Sequence, residues 1–137
     1  MLNHKIIDMS KVERFEDLKV WQFSRELCKM IHKLTLKDHF FRDFKLVGQI
    51  KSSSGSVMDN IAEGFERDGN KEFIQFLSIS KGSSGESRSQ LYRAMDNGYI
   101  TQEEFDVAYE KSLEVSKMLK GFIIYLKEPE LKGNKFK

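Results

Sequence analysis

Apolar positions recur at alternating three- and four-residue steps through four stretches of the chain. From near residue 17, Val20, Ser24, Leu27, Ile31 and Leu34 form one seam, flanked by Trp21 and Cys28. Leu46, Ile50, Ser53, Val57, Asn60 and Gly64 form a second. Phe73, Leu77, Ser80, Ser84, Ser87, Leu91 and Ala94 form a third. The fourth is the most regular: Phe105, Ala108, Ser112, Val115, Leu119, Phe122 and Leu126, widened by Tyr109 and Ile123. Such spacing keeps one stripe of an α-helix turned towards a partner. It predicts helices over 17–36, 44–67, 71–97 and 102–127.

Two runs rich in serine and glycine interrupt this pattern: Lys51-Ser52-Ser53-Ser54-Gly55-Ser56, and Ser78 to Ser87. By composition they look like linkers. A disordered linker has no reason to hold a helical phase across its apolar flanks, so both runs are placed mid-helix. Gly55, Gly82 and Gly85 each cost roughly 1 kcal/mol relative to alanine there. Close approach of backbones offsets that cost, because small residues bring helix axes to the short end of about 8–10 Å. Ser53, Gly55, Ser80, Gly82, Ser83 and Ser84 are therefore expected at a close helix–helix contact.

Boundary signals agree with these limits. Asp68-Gly69-Asn70 marks a turn with Asn70 as N-cap of the third helix. Gly98 supplies a C-terminal stop, and Thr101-Gln102-Glu103-Glu104 fits a capping box. Residues 1–14 are aperiodic and form an N-terminal arm, while 128–137 form a lysine-rich tail expected to be disordered. The aromatic connection His39 to Phe44 either caps the end of the bundle or meets a partner. Four helices with short connections over residues 15–127 imply an all-α fold, an up-down-up-down antiparallel four-helix bundle.

Composition narrows the class further. At 137 residues, with 39% hydrophobic and 32% charged positions, the chain forms one domain with a proper core. No apolar run approaches the roughly 20 residues that cross a bilayer, so no membrane partner is expected. The first residues lack the apolar core of a signal peptide. Cys28 is the single cysteine, which points to a reducing, cytoplasmic setting.

A net charge of +2 does not by itself indicate a nucleic-acid partner; distribution matters more. Arg25, Lys29, Lys33 and Lys37 follow one another at four-residue spacing along the first helix. Like charges so placed repel by a few tenths of a kcal/mol per pair. The ladder is either a phosphate-tracking ridge or a solvated face. Lys51, Arg88 and Arg93 are further candidate phosphate contacts.

Catalytic signatures are weak. Ser78-Ile79-Ser80-Lys81 fits a Ser-x-x-Lys pattern without its companion elements. Lys81-Gly82-Ser83-Ser84-Gly85 lacks the Gly-Lys-Ser/Thr of a phosphate loop. His4, His32 and His39 form no pair at metal-ligand spacing, so neither a metal nor a cofactor is expected. Glu63 and Glu86, with Asn60, lie beside the small-residue region. A bundle di-metal site uses Glu-x-x-His motifs, which are missing, so these three are assigned to a buried polar network. Lys51, Arg88 or a neighbouring subunit would then balance the carboxylates.

Asn60-Ile61-Ala62-Glu63-Gly64-Phe65, Lys71-Glu72-Phe73 and Phe76-Leu77 together resemble a known bacterial family. Gly82-Ser83, Glu86, Gln90-Leu91, Gly98-Tyr99-Ile100 and the opening Phe15 to Gln22 extend the match over Phe15 to Leu126. The family is that of the four-helix bundle proteins related to the products of 23S rRNA intervening sequences. It includes the accessory variability determinant of diversity-generating retroelements. The resemblance implies a four-helix protomer, a ring-shaped homopentamer and no catalytic activity. For the retroelement relatives it also implies nucleic-acid binding through a basic surface and contact with a reverse transcriptase. Family members often carry a basic pair after the glutamine of the second helix and a proline where Met58 stands. Here Lys51 keeps one base and Ser52 replaces the other.

The combined expectation is a cytoplasmic, non-enzymatic homo-oligomeric bundle that binds structured RNA or DNA weakly, by shape and charge. The alternative is a protein-interaction scaffold with no nucleic-acid role, using Phe40, Phe41 and Phe44.

Overall fold

The computed structural model describes residues 8–128. Residues 129–137 of the expected tail, and the first seven residues of the expected arm, lie outside the described residues. Among those described there are five α-helices and no strand: α1 (Lys19–Thr35), α2 (Asp38–Arg42), α3 (Phe44–Phe65), α4 (Asn70–Asp96) and α5 (Gln102–Lys127). The four long helices fall where the apolar stripes placed them. The aromatic connection holds the additional short helix α2. Residues 9–11 and 15–17 form short 3-10 turns before α1, and Met9 is buried in the core. This part of the expected arm is therefore packed against the helices.

Local signals explain most ends. The Thr101 hydroxyl accepts from the Glu104 backbone N–H at 3.1 Å, and the Glu104 carboxylate accepts from the Thr101 N–H at 2.8 Å, so the capping box opens α5. After α4, Gly98 adopts φ +76°, a left-handed conformation that glycine reaches without strain. The N–H groups of Gly98 and Tyr99 then bond the carbonyls of Met95 and Ala94, both at 2.9 Å. The start of α4 differs from expectation. Gly69, at φ +129°, occupies the N-cap position, and Asn70 is the first helical residue. Asn70 is buried, its amide donating to the Leu126 carbonyl at 3.5 Å. Its side chain ties α4 to the end of α5 instead of capping its own helix.

α3 packs on α4, α4 on α5, and α1 on both α3 and α5. α3 and α4 run in opposite senses: Ser53, Ser56 and Val57 of α3 meet Ser87, Ser83 and Ser80 of α4 in descending order. The apolar core is divided in two. One cluster joins Val20, Val57, Ile61, Phe73, Leu77, Val115, Leu119, Phe122 and Leu126. The other joins Leu27, Ile31, Phe40, Leu46, Ile50, Leu91, Ala94, Phe105 and Ala108.

Between them, in sequence order on every long helix, stands a belt of buried serines: Ser24, Ser53, Ser80, Ser84, Ser87 and Ser112. Ser24 turns back to its own helix, donating to the Val20 carbonyl at 2.7 Å. The others bond across helices. Ser80 donates to the Val57 carbonyl at 2.6 Å. Ser53 donates its single proton to the Gln90 carbonyl oxygen at 2.6 Å, which makes Ser87 the donor to Ser53 at 2.8 Å. Ser84 sits 3.0 Å from both the carbonyl and the hydroxyl of Ser112 and accepts from Ser116 at 2.9 Å. An unpaired buried hydroxyl costs about 1–3 kcal/mol, so the belt is tolerated because its members satisfy one another. Their small side chains also let the helices approach.

The expected close contact at Ser53, Ser80, Ser83 and Ser84 is thus present, with Ser83 donating to Ser56 at 2.9 Å. Gly55 and Gly82 are corrections: a β-carbon at either would meet nothing within 4 Å. Both lie two residues off the seam, on faces turned from the core. The glycine that permits close approach is Gly64, where a β-carbon would stand 2.6 Å from Phe76 Cβ and 3.0 Å from the Phe73 ring.

Two substitutions test this packing by urea denaturation. Gly64→Ala should destabilise the protein by about 1–3 kcal/mol, because a backbone-anchored Cβ must move aside. Ser84→Ala, which removes the hydroxyl and adds no bulk, should cost about 1–3 kcal/mol by stranding its partners. Unchanged midpoints would contradict the close packing at Gly64 and the hydroxyl belt, respectively.

Candidate nucleic-acid interface

The cationic ladder follows α1 and the turn after it. Arg25, Lys29 and Lys33 are exposed, and none of the three makes an ion pair among the described residues. The Arg25 guanidinium lies 5.8 Å from the centre of the Trp21 ring, which steadies it without neutralising it. Lys37 differs: it lies beyond the end of α1, half-buried, and pairs with Glu104. Its ammonium is the leading cause holding the Glu104 carboxyl below its ordinary pKa, with the Thr101 N–H adding to it. Three free cations therefore make up the ridge, with the fourth already engaged.

The secondary candidates separate. Lys51 is exposed on α3. Arg93 is exposed on α4 and donates to the Gln49 side chain at 3.0 Å. Arg88 is half-buried and points into the serine belt, donating to Ser116 at 2.7 Å and to Ser112 at 3.2 Å. Its charge polarises a directed chain from guanidinium through Ser116 and Ser84 to Ser112. A charge-assisted start strengthens such a chain. Arg88 is better described as a structural brace than as a phosphate contact.

The network expected at Asn60, Glu63 and Glu86 is also corrected. Glu63 and Glu86 are exposed. Glu63 accepts from Arg67, just beyond the end of α3, at 2.7 Å, and Glu86 is approached by the Gln90 amide at 3.4 Å. Asn60 is half-buried and donates to the backbone and hydroxyl oxygens of Ser56, both at 2.8 Å. These carboxylates do not converge. The buried polar network consists of serines, which the sequence had marked only as small.

A groove between α1 and α5 is lined by Phe23, Met30, Val107, Lys111 and Met118. Lys111 crosses it, 2.9 Å from Glu26 and 4.4 Å from the centre of the Phe23 ring. That bond is the main reason the Glu26 carboxyl is held below its ordinary pKa. Among the described residues no three His, Cys, Asp or Glu side chains group as metal ligands, and no helix is long and apolar enough to cross a membrane.

The aromatic connection splits by burial. Phe40 is fully buried and stacks on Tyr99 at 5.4 Å between ring centres, so it closes this end of the core as expected. Phe41 and Phe44 are 52% and 77% exposed, and Leu36 nearby is also exposed. Asp43, between them, caps α3 by accepting from the Leu46 N–H at 3.0 Å and takes the Tyr99 hydroxyl at 2.8 Å. These two bonds, the backbone one first, hold its pKa below the ordinary carboxylate value. The sign follows: this contribution is present above the unfolded pKa and is lost as pH falls through the lower, folded one.

A comparison with curated proteins finds no match. A crystal structure of a protein of unknown function from the S23 ribosomal protein family of Bacteroides thetaiotaomicron VPI-5482 is similar, with a TM-score of 0.70 and 26% identity. The match covers 76% of this chain and 97% of that one. A family model described as 23S rRNA-intervening sequence protein matches residues 16–121, from the turn before α1 through most of α5. The helices, the serine belt and the exposed ridge all lie within or on that span, and the chain belongs to the family of 23S rRNA-intervening sequence proteins.

Proposed function

We propose that the protein is a non-enzymatic, homo-oligomeric, up-down-up-down four-helix bundle that binds RNA or DNA by charge and shape. The observation that carries this reading is the ridge of Arg25, Lys29 and Lys33, exposed and without ion-pair partners among the described residues. Residues four apart stand about 6 Å apart along a helix. Cations at that pitch can neutralise successive phosphates and release their counterions. One subunit offers few such contacts. Several copies joined together multiply them through effective concentration.

Self-association is supported by the outward glycines. Gly48, Gly55 and Gly82 have open space where a side chain would sit, yet each weakens its helix by roughly 1 kcal/mol. No contact inside the protomer accounts for that cost. Helices of a second copy packed against these stripes do account for it, and the homopentamer implied by the family resemblance would repeat the contact around a ring. The non-enzymatic assignment rests on Glu63 and Glu86 being exposed with separate partners, Arg67 and Gln90, and on Lys111 spanning the α1–α5 groove.

Binding of a labelled duplex should weaken steeply between low and physiological salt, with a slope in log K of roughly one per phosphate contacted. Lys29→Glu combined with Lys33→Glu should lower affinity by tenfold or more and flatten that slope by about two per engaged subunit. Salt-independent binding, or an unaffected double variant, would refute the ridge. Gly55→Gln combined with Gly82→Gln should release a folded protomer of 16.0 kDa in a sedimentation measurement. An unchanged assembly mass would refute the glycine-faced contact.

A further inference from the structure

We infer that the corner formed by Phe41 and Phe44 is a stacking platform for unpaired nucleotide bases beside the phosphate-tracking ridge of α1. The inference rests on the nucleic-acid reading above and specifies which part of the ligand this end of the molecule receives.

The rings are exposed on a rigid support. Phe41 lies in α2, and Phe44 is the first residue of α3. Beneath them the Phe40–Tyr99 stack, the Tyr99–Asp43 hydrogen bond and the Asp43 cap of α3 lock the backbone. Isolated exposed apolar side chains are ordinary on protein surfaces. Here Leu36, Phe41 and Phe44 stand exposed within nine residues, in a corner whose geometry is fixed. A preorganised ring loses little freedom when a flat partner stacks on it.

Charge selects the partner. From Lys33 to Lys45 the chain carries Lys33, Lys37, Arg42 and Lys45 against Asp38 and Asp43. Two of these cations are ion-paired, Lys37 with Glu104 and Arg42 with Asp38, which leaves Lys33 and Lys45. Asp38 lies 3.2 Å from Arg42, and Asp43 is taken by a backbone N–H and a tyrosine hydroxyl. Lys45 and Arg93 both lie near enough to Asp43 to act on its carboxyl. Lys33, Lys45 and Arg93 outnumber the Asp43 carboxylate, so the segment carrying the rings is net cationic, and it follows Lys29 and Lys33 along the chain. A ligand following the ridge presents phosphates to it and arrives at two aromatic faces. An unpaired strand can turn its bases onto them, whereas a duplex keeps its bases stacked inside. A purely apolar protein partner would have no use for the surrounding cations.

The test compares a fluorescein-labelled, mixed-sequence RNA strand with its blunt duplex, using the full chain. Phe41→Ala and Phe44→Ala should each weaken strand binding by roughly tenfold, with duplex binding and its salt slope held within about twofold. Phe44→Trp should keep strand affinity, and its added indole emission, above that of Trp21, should be quenched by the strand but not by the duplex. Phe44→Ala should retain the wild-type unfolding midpoint, since its ring is 77% exposed, and Phe41→Ala, whose ring is 52% exposed, should remain folded. Unchanged strand affinity in both variants, or no quenching, would overturn the platform and return these rings to a protein partner. Equal losses for strand and duplex would also overturn it. A wild-type protein that binds duplex but not strand would refute the platform and leave the ridge standing. Binding to neither would refute both.

Discussion

Buried serine hydroxyls that bond across helices are the constraint on which the structure depends. An all-apolar seam would pack at many registers, because dispersion has no direction. The belt at Ser53, Ser80, Ser84, Ser87 and Ser112 removes that freedom. Sliding α4 against α3 or α5 by one turn would leave several hydroxyls unpaired at about 1–3 kcal/mol each. The two apolar clusters supply cohesion, and the belt between them sets which residues face each other. Arg88 feeds a charge-assisted bond into it from the surface. Its engagement there is why a residue of the right type for phosphate binding is a poor candidate for that role.

Much of this was legible in the sequence, and the rest was not for a common physical reason. Ser24, Ser53, Ser80, Ser84, Ser87 and Ser112 all fell in phase with apolar neighbours, which placed two linker-like runs inside helices. Composition was a poorer guide than phase. Gly55 and Gly82 were assigned to the contact because they are small, but two residues from a seam position is about 200° around a helix. Gly64, on the seam itself, is the glycine that needs its missing side chain. The same rotation explains Glu63 and Glu86: each is next to a seam residue, Gly64 or Ser87, and so turns about 100° towards water. At Asn70 a local cap lost to Gly69, whose positive φ is open chiefly to glycine, and to a tertiary bond with Leu126.

The functional surface follows from what the core leaves outside. Because α1 buries only Val20, Ser24, Leu27, Ile31 and Thr35, its opposite side is free to carry Arg25, Lys29 and Lys33, none of them ion-paired among the described residues. The corner after it buries Phe40 and leaves Phe41 and Phe44 in water. On α3 and α4 the exposed positions include Gly48, Ser52, Ser78 and Gly82, interspersed with charged residues such as Lys51, Lys81 and Glu86. Unpaired cations, exposed rings and glycines thus lie outside a scaffold whose interior polar chemistry is structural.

Native-state hydrogen exchange of the backbone amides from 80 to 87 tests the central claim most directly. If the belt locks α4 between its neighbours, these amides should exchange only through global unfolding, with the same free energy as Leu77 and Leu91 on either side. Exchange through local openings far below the global stability would mean that the serine-rich segment is loose, and that the hydroxyl belt does not hold the helices in register.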